Sequence, residues 1–293
     1  MSNILVIVVT FNSLEWLDRC FGSLRASTVR ADVLAVDNGS TDGTVQYLKE
    51  HFPEVFIHEA GENLGFGAAN NIGLKKVLDD GYDYAYLLNS DAWLCHDTLE
   101  LLIGASVKDS RFGILSPVQM SADMKSPDRN FDKWYGMKKP VDIATGICEV
   151  PFVMAAHWLV TRQAVETVGG FSPTFKLYGE DDNYIDRLHY FGLLAGVVST
   201  AVAVHDRADR TITKAYRMNL KTVAAIVKVS DPNHRFCSRF IREIFELLGM
   251  SVKNLSFTPL LFIPELFRRR SELLLNRNDS VKCKAFLDPD RKE

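Results

Sequence analysis

Paired cysteine is the first thing this chain lacks. It has 293 residues but only five cysteines, Cys20, Cys95, Cys148, Cys237 and Cys283, widely spaced and with no CxxC pair. That excludes a disulfide framework and the usual zinc and thiol-redox motifs, and it predicts reduced thiols in a cytoplasmic protein. Long apolar runs are also missing. None approaches the ~20 residues a transmembrane helix needs. The segment Met1–Phe11 is apolar but has no basic n-region and no small-residue cleavage site, so it reads as a strand rather than a signal peptide. An excess of basic charge is absent as well: the formal net charge is −3. This argues against a general nucleic-acid binder, and no nucleic-acid partner is expected. There are no internal repeats and no low-complexity segments. What remains is 47% apolar and 24% charged residues, ordinary globular values. A chain of this length buries roughly 75% of its unfolded surface and needs no covalent or metal staple.

The small net charge hides an asymmetry. Residues 1–204 carry 16 Lys and Arg against 26 Asp and Glu, whereas residues 205–293 carry 18 against 11. An acidic body with a basic tail fits an enzyme whose C-terminal end meets an anionic surface.

Apolar periodicity sets the architecture. Ile4–Val9 is continuously apolar and rich in Val and Ile, as in a strand covered on both faces. Leu14, Leu17, Phe21 and Leu24 then recur at helical spacing. Val33–Val36, Val55–His58 and Tyr84–Leu88 read as further strands. A helix carrying Val45 and Leu48 and a second helix over Phe66–Leu78 separate them. This alternation predicts an α/β fold, a Rossmann-like, mostly parallel sheet with helices on both faces. Ligands of such sheets lie outside the C-terminal strand ends. Asp97 and Glu100 form a capping-box pattern before an apolar helix. Gln119–Glu149 is polar and reads as a long loop. Helices are expected over Thr161–Val168 and Asp181–Phe191, each closed by a glycine. The tail from about residue 211 reads as helical and basic.

Three polar segments sit at strand ends: Thr10-Phe11-Asn12, then Asp37 to Gly43, then Asn89-Ser90-Asp91. Asp91 suits a hard cation held by one or two carboxylates plus phosphates, though it could equally cap a turn. Glu180-Asp181-Asp182 crowds three carboxylates at a helix start. The helix dipole favours acids there. Mutual repulsion also raises the pKa of at least one, which suits a general base. Phe175 and Tyr178 just before them could stack on a sugar ring. His205 ends the apolar run Val197–Val204 and is either structural or a ligand for Mg²⁺ or Mn²⁺. The glycine pattern around Gly65-Phe66-Gly67 lacks full GxGxxG spacing and follows the third strand, so it is not a dinucleotide fingerprint.

Together these segments resemble family 2 glycosyltransferases of the GT-A fold, especially the bacterial rhamnosyltransferase-like branch. The resemblance is carried by Val9–Ser13, Val36–Thr44, Glu62–Gly67, Asn70–Gly73 and Leu87–Asp91. Val168–Phe171, Tyr178–Asp182 and Val204–Asp206 complete it. It spans residues 9–206 and leaves the last ~85 residues uncovered. It implies that Thr10, Phe11, Asn12, Asp37 and Asn38 hold the base and ribose of a nucleotide sugar. By the same likeness Asn63, Gly65, Gly67 and Asn70 close over that nucleotide. Asp91 and His205 would hold Mg²⁺ or Mn²⁺ with the donor diphosphate, Asn89 and Ser90 lying nearby. Asp181 would be the base, with Glu180 and Asp182 its rivals. The implied activity is inverting transfer from a nucleoside-diphosphate sugar to a glycan or lipid-linked glycan in surface polysaccharide synthesis.

The expected division is residues 1–95 for the nucleotide sugar, 96–210 for acceptor and catalysis, and 211–293 as a basic helical extension. In that extension Phe236, Phe240, Ile244 and Leu247 share one helical face, with Arg235, Arg239 and Arg242 off it. Phe257–Phe267 is apolar and runs into Arg268-Arg269-Arg270. Such helices can pack on the body or lie on the inner face of the cytoplasmic membrane. Two other readings compete. A nucleotidyltransferase would place a glycine-rich loop with Arg or Lys after the first strand, and Thr10–Leu14 has neither. A non-catalytic sugar-nucleotide or glycan-binding subunit would have no use for a base at Asp181.

Overall fold

The computed structural model describes residues 3–207, 214–253 and 257–287. The sequence-predicted strands form as β1 (Ile4–Thr10), β2 (Asp32–Asp37), β3 (Phe56–Glu59) and β4 (Tyr84–Asn89), followed by β5 (Ala92–Leu94), β6 (Phe112–Met120), β7 (Ile147–Glu149), β8 (His157–Thr161) and β9 (Leu194–His205). The helices of the body are α1 (Leu17–Arg25), α2 (Thr44–His51), α3 (Phe66–Asp79), α4 (Thr98–Lys108), α5 (Arg129–Tyr135), α6 (Arg162–Val168) and α7 (Glu180–Tyr190). Those of the tail are α8 (Lys214–Ser230), α9 (Phe236–Lys253) and α10 (Phe262–Ser280). The expected start of the tail at residue 211 lies outside the described residues.

One sheet runs in the order β3-β2-β1-β4-β8-β6-β9-β5, with β7 also paired to β9. The first four strands in that order are parallel. β8 enters antiparallel between β4 and β6. β6 and β9 run parallel, and β7 and β5 pair antiparallel with successive stretches of β9.

Strand alternation sends β1 both ways, as continuous apolar strands require. Leu5 and Ile7 join α3, α6 and α7 through Ala69, Leu74, Val165 and Leu188. Ile4, Val6 and Val8 join α1, α2 and α4 through Leu17, Phe21, Leu48 and Leu102. The tail has its own core of Ile226, Val229, Phe236, Phe240, Leu247, Leu266 and Leu273, which also takes in Phe175. Residues 284–287 return to the body. Gly170 N–H donates to Ala285 O at 2.7 Å, and Leu287 is buried in the main core. Gly169 is in the left-handed region at φ +85°, and a Cβ there would lie 2.2 Å from Ala285 O. Only glycine lets that segment lie so close.

Three sequence expectations change. Gln119–Glu149 is not one long loop, because β6 reaches Met120 and the segment contains α5 and β7. α5 starts there because the Asp128 carboxylate accepts the Asn130 and Phe131 N–H groups at 2.9 Å each. Asp97 occupies the N-cap of α4 but makes no side-chain cap bond. Thr98 Oγ1 instead donates to Cys95 O and Val202 O, tying the helix start to β9. Phe175 cannot stack on a sugar, since it is buried against the tail.

Candidate active site

The loops at the C-terminal ends of β1, β2, β3 and β4 are tied to one another by side-chain hydrogen bonds. Asp37, buried at the end of β2, accepts from Thr10 Oγ1 at 2.9 Å and Ser40 Oγ at 2.5 Å through one oxygen. Its other oxygen accepts the Gly39 and Ser40 N–H groups at 3.1 and 2.9 Å. A carboxylate has about four acceptor positions, so here Asp37 shapes the loop rather than presenting a free acceptor. Asn12, at φ 50°, accepts the Thr41 N–H at 2.8 Å. Its own N–H donates to Ser40 Oγ at 2.9 Å. Phe11 stands out of this loop, half exposed. Ser13 Oγ meets Ser90 Oγ at 2.9 Å and so joins the β1 and β4 loops. Asn38 Nδ2 donates to Gly65 O at 3.3 Å, and Asn63 Oδ1 accepts the Gly65 N–H at 2.9 Å.

Two buried amide oxygens on this wall have no partner, Asn38 Oδ1 and Asn70 Oδ1. An unmet buried acceptor is costly, and a ligand N–H or O–H would relieve it. Gly65 and Gly67, expected from the sequence to close over a nucleotide, have a packing role in the structure. A Cβ at Gly65 would lie 2.4 Å from Lys176 O, and one at Gly67 would lie 2.8 Å from Phe171 Cβ. Their bare backbones let the segment leading into α7 press against the β3–α3 loop.

Asp91 and His205 converge because β5 pairs with β9 in a register that sets Ala92 opposite His205. The Asp206 N–H donates to Asp91 O at 2.9 Å, and His205 Nε2 lies 3.5 Å from Asp91 Oδ1. Asn89, at the end of β4, donates its N–H to Ala156 O at 3.1 Å. Buried His157 braces this corner, with Nε2 3.0 Å from Val204 O and Nδ1 2.9 Å from Tyr86 Oη. Burial pushes its pKa down to about 3, so it stays neutral. Among the described residues no three His, Cys, Asp or Glu side chains gather as a complete metal cage. A carboxylate and an imidazole are nevertheless a fitting pair for a hard divalent ion that takes its other ligands from diphosphate and water.

Sequence reasoning missed two residues here. Arg207 donates Nε to His205 Nδ1 at 3.4 Å and pairs with buried Asp128 at 3.3 Å. The signal for Arg207 was its place just after His205-Asp206. Asp128 gave none, because the segment containing it reads as loop.

The three acids begin α7, whose N-cap is Gly179 at φ 86°. They face different neighbours. Glu180 is buried beside Gly67, and its Oε2 has no partner. Burial raises its pKa to about 7, with the charge of Asp182 adding to the effect. Asp181 is pushed upward by burial and then by Asp182 and Glu180. Burial also raises Asp182, while the Asp181 hydrogen bond and the charge of Lys133 on α5 oppose the shift. Asp182 lines an open cavity of about 270 Å³ with Trp134, Phe152, Asp186, Lys228 and Arg239. One end of the triad thus touches the β3–α3 loop and the other faces an aromatic and charged cavity.

Known proteins resemble this chain in sequence and in fold. The family model described as glycosyl transferase family 2 matches residues 5–169. An N-acetylglucosaminyl-diphospho-decaprenol L-rhamnosyltransferase of Mycobacterium tuberculosis is 28% identical over 235 residues, covering 70% of this chain and 76% of the relative. A dTDP-rhamnosyl transferase of Shigella flexneri is 22% identical over 218 residues, covering 72% and 71%. The crystal structure of S. aureus TarS residues 1–349 in complex with UDP-GlcNAc matches with a TM-score of 0.57 at 15% identity, covering 95% of this chain and 81% of that one. That structure shares the GT-A architecture: the α/β sheet and the helical region that follows it. The family match begins in β1, takes in all four strand-end loops and ends at Gly169, so it covers more than half of the chain, and the chain belongs to glycosyl transferase family 2.

Proposed function

We propose that this chain is an inverting, metal-assisted transferase that moves a sugar from a nucleoside-diphosphate donor to a lipid-linked glycan acceptor in surface polysaccharide synthesis. The observation that carries this is the contrast between the two walls: hydrogen-bonded strand-end loops with two unmet amide oxygens on one side, and desolvated carboxylates beside an aromatic cavity on the other. In this reading residues 1–95 hold the donor, 96–210 supply the acceptor and catalytic half, and 211–293 form the basic extension. The similar mycobacterial protein is named for a diphospho-decaprenol acceptor. No helix among the described residues is long and apolar enough to cross a membrane. The basic extension is therefore the part we assign to peripheral contact with the inner membrane face.

The chemistry follows from the residues. An acceptor hydroxyl has a pKa far above neutrality and needs a positioned base, worth about 10²–10⁴-fold. Asp181 takes that proton as the acceptor oxygen bonds to the anomeric carbon. The bond from that carbon to the diphosphate oxygen breaks, and its electron pair leaves with the nucleoside diphosphate. The raised pKa of Asp181 makes its carboxylate a stronger proton acceptor than an ordinary one. Asp91 and His205 would hold Mg²⁺ or Mn²⁺, which when bound neutralises charge on the leaving diphosphate. Arg207 adds a fixed positive charge at the same corner. Asn38 and Asn70 offer acceptors to the nucleotide, and Asp37 acts through the loop it shapes.

The test is thermal stability with UDP, dTDP, GDP or CDP, each with and without Mn²⁺. One diphosphate at ~100-fold over its Kd should stabilise by roughly 2.7 kcal/mol. Stabilisation by none of them would overturn the donor reading.

A further inference from the structure

Arg239 lines both the cavity beside Asp182 and a second one. The second is lined by His234, Arg235, Ser238, Arg239 and Arg242 and has a volume of about 290 Å³. On a helix advancing about 100° per residue, Ser238, Arg239 and Arg242 of α9 continue one stripe that begins at Arg235 just before it, and Ile241, Phe245, Leu248 and Val252 form the adjoining one. Phe236, Phe240 and Leu247 lie opposite, in the tail core. The apolar stripe is exposed, Phe245 by 67% and Val252 by 76%. Solvent-facing apolar stripes of this length mark an interaction surface.

The corner between these features is built. Arg277 of α10 donates to the carbonyls of Asp231, Pro232 and His234, holding the turn before α9. Asn233 Nδ2 donates to Asp186 O at 2.8 Å, which fixes the same turn to α7. Some of these side chains already have acidic neighbours. His234 lies 3.5 Å and Arg239 3.8 Å from Asp231, and Arg242 lies 3.2 Å from Glu246. Arg239 Nε has no partner, and Arg235 forms no ion pair among the described residues.

We propose that the Arg235–Arg239–Arg242 cavity binds the diphosphate of a polyprenyl-diphosphate-linked sugar acceptor. The sugar lies in the Trp134–Phe152–Asp182 cavity and the lipid runs over the Ile241–Val252 stripe. This rests on the lipid-linked acceptor reading above and adds the place and order of its parts. The aromatic side chains suit a pyranose face, and the carboxylates of Asp182 and Asp186 suit its hydroxyls. Guanidinium groups suit phosphate oxygens. The apolar stripe then continues away from the cationic one, as the chain of a lipid diphosphate continues away from its headgroup. An anionic phospholipid headgroup would meet the same cations, but it would leave the sugar-sized cavity next to the base without a role.

The experiment uses the full chain and two soluble acceptors: N-acetylglucosaminyl diphosphate carrying a decyl chain, and decyl N-acetylglucosaminide without the diphosphate. The unmodified protein should favour the first. In the variant Arg235→Gln/Arg242→Gln that preference, the ratio of the two kcat/KM values, should fall about tenfold or more through a raised acceptor KM. The control Lys108→Gln, which removes a surface charge on α4, should leave the ratio alone. A ratio unchanged in the arginine variant overturns the proposal, as does an equal loss with both acceptors. Binding to phosphatidylglycerol vesicles is measured in parallel. Loss of vesicle binding with the ratio intact assigns the cations to membrane headgroups and also overturns it. No transfer by the unmodified protein to either acceptor, with the nucleotide-induced stabilisation intact, would refute the acceptor reading on which the proposal rests.

Discussion

The strand-end loops and the start of α7 are constructed on opposite principles. On the β1–β4 side the loops are knit together, though Asn38 Oδ1 and Asn70 Oδ1 stay unmet: Asp37 accepts four bonds, and Ser13, Asn12 and Ser40 link one loop to the next. On the α7 side, Glu180, Asp181, Asp182 and Asp186 are crowded and desolvated, with Lys133, Arg239 and Arg187 as incomplete compensation. In the function proposed above, the organised loops would bind a nucleotide at little conformational cost. The desolvated carboxylates would hold proton affinity in reserve for the transfer step. The difference teaches that rigidity and reactivity are assigned to separate segments, joined where Gly65 meets Lys176.

The sharpest test separates the two. Asp181→Asn should lower transfer by about 10²–10⁴-fold, measured by single-turnover transfer of labelled sugar, while nucleotide-induced thermal stabilisation is retained. Loss of that stabilisation would move Asp181 to the donor wall. Asp37→Ala should do the reverse, because it leaves two hydroxyls and two N–H groups without their acceptor. Destabilisation of about 3 kcal/mol or more is expected from denaturant unfolding, together with loss of nucleotide binding. A mild loss of stability would mean the loops hold without it. Asp91→Ala should remove the Mn²⁺-dependent part of the diphosphate stabilisation, up to roughly 2.7 kcal/mol, and leave the metal-independent part.

The smallest effect tests the strain directly. Burial, with Asp231 and Asp182 adding to it, raises Asp186 to about 7. The folded state therefore binds more protons than the unfolded state between about pH 4 and 7, and stability from this group falls as pH rises through that window. Asp186→Asn removes the loss. It should raise the melting temperature by a few degrees at pH 8, on the order of 1 kcal/mol, and change little at pH 4. Equal effects at both pH values would show that packing, not charge, sets the result.

How much of this was legible follows from what each residue's signal depends on. The first four strands and their loops were readable, because buried parallel strands are apolar runs and their ends are polar by necessity. The Asp91–His205 approach was only half legible, since it depends on the antiparallel register of a three-residue strand, β5, against the end of β9. α5 was hidden because its apolar content is three aromatics, Phe131, Trp134 and Tyr135, in a polar stretch. Phe175 was misread because an aromatic beside acids looks the same in sequence whether it faces ligand or tail. On α9 the sequence marked one apolar face. The second, Ile241 to Val252, emerged only when the fold showed which side Phe236 and Phe240 bury.

The return of residues 284–287 to the glycines after α6 bears on how the chain is made. Asn71, in α3, donates to Phe286 O at 3.5 Å across a separation of 215 residues. A nascent chain folds from its N-terminus while it is still being synthesised, yet here the main core keeps an open seat for Leu287 until the tail helices have left the ribosome. The β1–β4 loops can form early, but the core behind α7 is completed last. Truncation before residue 284 should then leave the main core incomplete and the body less stable, rather than remove only the tail.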